Sequence, residues 1–340
     1  MKFSHVLVDI ELTNRCNALC SFCPRDKTPQ QGMLSRENFF SAIDRVLELP
    51  APLPKVTFTG QGEPTLHADI VEFMHHATEK GLRVGMTSNA SKLHENLARD
   101  LVDAGLKEIS LSISDFGDDY EEVYNLDFDN SMTNALKFVE IARDQVEITI
   151  NIVEHDINKG KIEEMKAFWR EHGVKRFLVF SQNNRGGACD NGKLFLESRS
   201  ATDEAQELMS QHGISSLCDA AFKFLFVGWS GHYYVCCNDY EKTTPLGHVS
   251  ELGFTELNNT KLELLARGGI SACNNCDLDP GNKVREILLE RDAGFATDDD
   301  VSSLLDTLRS DQQGFPGMHE DLDWRERVLA QDQTLLARSG

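Results

Sequence analysis

Residues 5–24 read HVLVDIELTNRCNALCSFCP, an apolar run that breaks into three closely spaced cysteines, Cys16, Cys20 and Cys23. Residues 5–12 are rich in β-branched and apolar side chains and read as a strand. The spacing after it is Cys-x3-Cys-x2-Cys, with Phe22 before the last cysteine. Three thiolates this close hold three irons of a cubane cluster and leave the fourth iron free for a small molecule. The same spacing also fits a zinc site with a distant fourth ligand, or three buried thiols.

Working outward, residues 55–59, 82–87, 108–113, 147–153 and 176–180 repeat the strand pattern. Amphipathic stretches at about 35–49, 67–80, 92–104, 131–143 and 159–172 alternate with them as helices. Gly81, Gly105 and Gly173 follow three of these helices, where a left-handed residue closes the last turn. Six strands with five intervening helices predict βα repetition and a parallel sheet. Six repeats are too few for a closed eight-stranded barrel, so the expected fold is α/β, a partial (β/α)6 barrel that stays open. Ligands of such folds gather at the C-terminal ends of strands, where the three cysteines fall.

From residue 181 the pattern changes. Asn183-Asn184-Arg185-Gly186-Gly187 is a turn-rich loop, and a helix is expected at about 202–212. Residues 222–227 and 232–235 flank Trp229-Ser230-Gly231 as a hairpin. The expected organisation is a barrel at 1–182, a linker and helix at 183–215, a small cysteine-bearing domain at 216–280, and an acidic helical tail at 281–340. In the tail Val301, Leu304, Leu305 and Leu308 share one helical face, preceded by Asp298, Asp299 and Asp300. Gly314-Phe315-Pro316-Gly317 is expected to break that helix.

Composition narrows the partners. The 340 residues carry a net charge of −21, which repels phosphate backbones and disfavours nucleic acid. No stretch approaches the roughly 20 apolar residues that span a bilayer, so no membrane is expected. The N-terminus lacks the apolar core and cleavage site of a signal peptide. Nine cysteines in that context argue for a reducing, cytoplasmic setting, where clustered thiols bind metal more often than they form disulfides. Only Cys189 stands apart from the two cysteine groups.

The cysteine segment, placed after the first barrel strand, resembles the cluster loop of radical S-adenosylmethionine enzymes. The resemblance implies a 4Fe–4S cluster whose open iron is chelated by S-adenosylmethionine (AdoMet), and a 5′-deoxyadenosyl radical that abstracts a substrate hydrogen. Further segments occupy matching places. Gly60-Gln61-Gly62-Glu63-Pro64 follows the second strand and resembles the family's glycine-rich motif, whose backbone binds the methionine amino group. Glycine suits that role because backbone approaches a ligand closely there. Thr87-Ser88-Asn89 stands where the family often has Thr-Asn-Gly. Ser110, Ser112 and Ser114 alternate on the fourth strand, and Ser112 is the best-placed contact for ribose or carboxylate; Asn151 on the fifth strand is a weaker one. The expected cofactor-binding residues are therefore Phe22, Gly60, Gly62, Glu63, Ser88, Asn89, Ser112 and Asn151.

Cys218, Cys236, Cys273 and Cys276 supply four thiolates for a second metal centre, and spacing alone slightly favours structural zinc. However, Cys218-x12-Gly231-x4-Cys236, with Leu246-Gly247-His248-Val249 after it, resembles the opening of the SPASM extension. The chain has no cysteine after Cys276, so it resembles the shortened twitch form, which holds one auxiliary 4Fe–4S cluster. That implies Cys218, Cys236, Cys273 and Cys276 as its ligands, with Cys237 as an alternative to Cys236. Asn184-Arg185-Gly186-Gly187 with Asp190-Asn191 resembles the twitch-type dehydrogenases that oxidise 2-deoxy-scyllo-inosamine, an aminocyclitol. The likeness implies Arg185 as a substrate contact, although Asn238 stands where those enzymes have glutamate.

The expected function is a radical oxidoreductase acting on an alcohol of a sugar-like molecule, with the auxiliary cluster as second electron acceptor. A flavodoxin or ferredoxin is the expected reducing partner. Radical epimerisation is an alternative, with Cys189 or Cys237 as hydrogen donor. Modification of a peptide is another, and a zinc-stabilised binding module is the non-enzymatic one.

Overall fold

Val8 and Ile10 point to one side of the first strand and Asp9 to the other, and the whole sheet repeats this division. The computed structural model describes residues 7–49, 52–189, 199–218, 220–221 and 224–313. Strands β1 (Leu7–Ile10), β2 (Lys55–Phe58), β3 (Val84–Ser88), β4 (Glu108–Ser112), β5 (Glu147–Glu154) and β6 (Arg176–Ser181) pair in parallel in chain order. The register aligns Val8, Val56 and Val84 on one face, and Asp9, Thr57 and Gly85 on the other. Ser110 and Ser112 of β4 stand beside Thr149 and Asn151 of β5 on that second, polar face.

A parallel sheet covered on both sides would read as continuous apolar runs. The alternation here means that helices cover one face only. Helices α1 (Arg36–Leu47), α2 (Ile70–Glu79), α3 (Glu95–Asp103), α4 (Gly117–Tyr124), α5 (Phe128–Ala142) and α6 (Ile162–Glu171) lie in the crossovers. Phe39 of α1 stacks on Phe73 of α2 at 4.0 Å in the core that these helices share with the apolar sheet face. Each such ring contributes roughly 1.5–3 kcal/mol by leaving water. Ser35 and Asp127 cap α1 and α5 by accepting from the backbone N–H three residues on.

The helix expected at 131–143 is α5, and the same crossover holds a further helix, α4, that the sequence pattern does not announce. Helix α4 opens on Gly117, whose positive φ of 56° imitates a turn in the sequence. At the opposite rim Lys55, Glu108, Arg83, Glu147 and Arg176 form a continuous chain of ion pairs.

The hairpin does not build a sheet of its own. Strand β7 (Phe224–Val227) pairs in parallel with β1, and β8 (His232–Tyr234) and β9 (Gly247–His248) follow antiparallel. One nine-stranded sheet thus runs β6-β5-β4-β3-β2-β1-β7-β8-β9. Residues 222–223, expected at the start of the hairpin, lie outside the described residues.

Helix α7 (Arg199–Gln211) packs with helices Pro280–Asp292 and Asp298–Gln313 through Ala205, Met209, Val284, Leu288, Val301, Leu305 and Leu308. The apolar stripe of the tail therefore closes a small second core. Gln312 and Ser215 lock it by exchanging two hydrogen bonds. The expected break at 314–317 lies outside the described residues. No helix among the described residues is long and apolar enough to cross a membrane.

Candidate cluster and cofactor sites

The chain leaves β1 through Glu11 and folds back over the C-terminal ends of the strands, and hydrogen bonds hold this loop at several points. Thr13 Oγ1 donates to the Gly32 carbonyl (2.6 Å), and Asn14 Nδ2 donates to that of Gln30 (2.6 Å). Arg25 Nη1 donates to the carbonyls of Cys16 and Ala18, and the backbone N–H groups of Leu19 and Ser21 donate to the last turn of α4. Cys16, Cys20 and Cys23 are half-buried on this frame. Burial pushes the Cys16 thiol up to about 11 and Cys20 higher still. Such thiols stay protonated until a cation replaces the proton, as expected of ligands that load with metal.

The glycine-rich turn packs directly beneath. A Cβ on Gly60 would lie 2.6 Å from Glu11 Cγ, and one on Gly62 would lie 2.3 Å from the Thr13 carbonyl oxygen. Both glycines are therefore required by close approach to the cysteine loop itself. Glu63 is turned inward. Its carboxylate accepts from the Thr65 backbone and hydroxyl, from Ser88 Oγ and from the Asn89 backbone N–H. Four donors fill it, so Glu63 and Ser88 fasten the second and third strand ends together. Asn89 Nδ2 reaches Asn17 Oδ1 (3.2 Å) and lies 3.9 Å from Cys16 Sγ.

Ser112 and Asn151 are cross-strand neighbours on the polar face. Asn151 Oδ1 is buried without a hydrogen-bond partner. A buried amide oxygen requires a donor, and the amine and ribose hydroxyls of AdoMet are donors. The Phe22 ring stands beside this region, 5.7 Å from Tyr124 and 6.0 Å from His155.

The second cysteine group converges. Cys218, Cys236, Cys273 and Cys276 line one small cavity with Ala221, Val235 and Leu278. Among the described residues no three His, Cys, Asp or Glu side chains draw close enough to hold a single metal ion. A cubane spreads its ligands over four irons and needs a wider set. Buried Lys261 donates to the Phe224 carbonyl (2.9 Å). Burial lowers its ammonium to about 8, against the pull of the thiols of Cys236, Cys273 and Cys218. A cation that feels three of these four thiols offsets the negative charge of a thiolate cluster, so the donor set and its surroundings fit an iron–sulfur group. Cys237 is absent from that cavity, and burial pushes its thiol up to about 11. Asp9, on the polar face of β1, is pushed up to about 7 by burial.

Arg185, in a left-handed backbone conformation with φ 50°, lines a small cavity with Asn238, Asp239 and Tyr240. Its Nε is buried without a partner, and its guanidinium stands 6.0 Å from the centre of the Tyr240 ring. Cys189 Sγ is 3.8 Å from the Phe22 carbonyl oxygen. Asp190 and Asn191 lie outside the described residues.

Three functional features are absent from the expectations drawn from sequence. Tyr240 reaches Cys23, its hydroxyl 3.8 Å from the sulfur. Asn184 exchanges hydrogen bonds with Asp277 in both directions and donates to the Asn275 carbonyl (2.6 Å). Buried Glu11 accepts from the Gln61 and Trp229 backbones and pairs with Lys242 at 3.5 Å. Each is a long-range contact, and only the Asn-Arg-Gly-Gly turn hinted at one of them.

Comparison with known proteins agrees with this geometry. Residues 10–168 match the model of the radical SAM superfamily, and residues 218–277 match that of the SPASM iron–sulfur cluster-binding domain. A probable GTP 3′,8-cyclase of Thermococcus kodakarensis is 28% identical over 173 residues, 50% of this chain and 55% of the relative. A PqqA peptide cyclase of Bradyrhizobium diazoefficiens is 23% identical, over 59% of this chain and 53% of the relative. The chain thus spans about half the length of the curated relatives it matches. Among solved structures, BtrN in complex with AdoMet and 2-DOIA superposes with a TM-score of 0.51 at 16% identity, over 82% of this chain and 94% of BtrN. Streptococcus suis SuiB bound to its precursor peptide SuiA superposes with a TM-score of 0.60 at 17% identity, over 81% and 70%. At these identities the superpositions establish the fold.

Proposed function

From a chain that is a radical SAM enzyme with a SPASM domain, and whose cofactors are a 4Fe–4S cluster with AdoMet and an auxiliary iron–sulfur cluster, we propose an oxidoreductase. It takes a hydrogen from a carbon bearing oxygen or nitrogen in a small, sugar-like substrate. When bound, the cofactors supply a 5′-deoxyadenosyl radical and an acceptor for a second electron.

The observation that carries this reading is the placement of Arg185. Its Nε is buried without a partner, and its guanidinium stands 6.0 Å from the ring of Tyr240, whose hydroxyl lies 3.8 Å from Cys23 Sγ. A guanidinium presents several fixed donors and suits a substrate rich in hydroxyl groups. In this reading Cys16, Cys20 and Cys23 hold the first cluster and Cys218, Cys236, Cys273 and Cys276 an auxiliary 4Fe–4S cluster. Ser112 and Asn151 hold the ribose or the methionine end of AdoMet. Gly60, Gly62, Glu63, Ser88 and Asn89 keep the strand ends in position around it, and Phe22 flanks the nucleoside. Arg185 orients the substrate. The auxiliary domain takes residues 216–280, after the barrel at 1–182 and a linker at 183–215.

A second reading, modification of a peptide, draws support from relatives named PqqA peptide cyclase and from the SuiB structure with its precursor peptide. One experiment separates the readings. Reconstituted protein is incubated with AdoMet, reductant and aminocyclitols deuterated at the carbinol carbon, and in parallel with candidate precursor peptides. The proposal expects deuterium in 5′-deoxyadenosine and one ketone per nucleoside released. Deuterium transfer with an inverted alcohol and no ketone, abolished by Cys189→Ala or Cys237→Ala, would make it an epimerase instead. Turnover of the peptide alone would replace it with peptide modification.

A further inference from the structure

We propose that Tyr240, supplied by the auxiliary half of the chain, donates its hydroxyl hydrogen to the Cys23 sulfur and so sets the reduction potential of the N-terminal cluster. The inference rests on the reading of Cys16, Cys20 and Cys23 as cluster ligands. Tyr240 belongs to the loop that carries Cys236, four residues further on, yet its hydroxyl lies 3.8 Å from Cys23 Sγ. That separation is at the long end of the range for a hydrogen bond to sulfur, whose radius exceeds that of oxygen. The residue is 6% exposed, and among the described residues its hydroxyl has no other hydrogen-bond partner. A buried phenol requires one. In a free thiol either group can donate. Once Cys23 is a metal ligand it carries no proton, so the phenol is left as the donor and the sulfur as the acceptor.

The position is built by the surroundings. The guanidinium of Arg185 stands over the Tyr240 ring, and the Tyr240 backbone N–H donates to the Asn238 carbonyl (2.9 Å). One residue earlier, the Asp239 carbonyl accepts from Gln61 Nε2 (3.1 Å), while Gln61 Oε1 accepts from Thr28 Oγ1 (3.0 Å). Gln61 lies in the glycine-rich turn and Thr28 in the cysteine loop. The loop that delivers Tyr240 is therefore tied to the segments that frame the first cluster, and the phenol has little freedom to swing away.

Hydrogen bonds to cluster sulfurs are among the factors that set reduction potential. A donor at a ligand sulfur stabilises the extra negative charge of the reduced state and raises the potential. Tyr240 thus eases the one-electron reduction on which radical formation depends. Because the donor arrives from the auxiliary loop, the reducibility of the first cluster depends on that loop being folded in place.

The test is a potentiometric titration of anaerobically reconstituted full-length protein with AdoMet bound, read by electron paramagnetic resonance, with iron measured in every preparation. Tyr240→Phe keeps the ring and removes the donor; the expected result is a shift of the N-terminal cluster to more negative potential. Incorporation of 3-fluorotyrosine at position 240 keeps the shape and makes the phenol a stronger donor; the expected shift is upward. If Tyr240→Phe fails to retain iron, the fluorotyrosine protein decides alone. An unchanged potential in every variant that holds the wild-type iron content overturns the proposal. Wild-type protein that takes up no iron at the N-terminal site would instead overturn the cluster reading beneath it.

Discussion

Asn151 shows how a single atom carries functional information. Its Oδ1 is buried beside Ser112 with nothing to accept from. An unsatisfied acceptor is costly in a folded chain unless a ligand meets it. Replacement with leucine, close in size, removes the acceptor together with the amide donor. We expect Asn151→Leu to weaken AdoMet binding to the loaded protein by about 2- to 12-fold, from a net hydrogen-bond value of about 0.5–1.5 kcal/mol. Calorimetric titration checks this, and an unchanged affinity removes Asn151 from the cofactor site. Sequence placed this residue on the fifth strand, and the structural register sets it beside Ser112. Glu63 is the opposite case. Its position beside two glycines suggests a ligand contact, but its carboxylate is filled by Thr65, Ser88 and Asn89. Two of these donors, on Ser88 and Asn89, lie 25 and 26 residues away, and local spacing carries no record of them.

At the scale of elements, the β-branched runs and the glycines after three helices marked the six parallel strands β1 to β6 and most crossovers within a few residues. Helix α4 escaped because Gly117 opens it, and glycine reads as a turn. The docking of β7 against β1 escaped for a different reason: the pairing joins residues more than 200 positions apart, and a short apolar run does not announce its partner. The turn at Asn184–Gly187 illustrates how such long-range joints hold. Asn184 is buried and exchanges hydrogen bonds with Asp277, adjacent to Cys276, while its amide also reaches the Asn275 carbonyl. Asn184→Ala strips three side-chain bonds, those with Gly187, Asn275 and Asp277. Loss of buried partners of this kind costs about 1–3 kcal/mol. We expect a lower denaturation midpoint and less iron bound per chain, with AdoMet cleavage retained by the N-terminal site. Iron assay and denaturant titration measure both; wild-type values for each would mean that the turn does not position the Cys273–Cys276 knuckle.

For the whole molecule, the sheet order explains how the second half of the chain reaches the N-terminal cysteine loop. With β7 beside β1, the chain that follows the hairpin turns back toward that loop, where Tyr240 meets Cys23. Charge and fold class were legible early because they are sums over many residues. The joints between the halves rest on single contacts, such as Gln61 with Asp239 and Glu11 with Lys242, which no pattern predicts. The account rests on an iron with a vacant position above the first strand, and quantification of 5′-deoxyadenosine tests it most directly. Oxygen-free, reconstituted and reduced protein should release the nucleoside from AdoMet. Cys16→Ala, Cys20→Ala and Cys23→Ala should each abolish release, while Cys218→Ala retains it. Wild-type protein that binds zinc in place of iron and releases no 5′-deoxyadenosine would contradict the account.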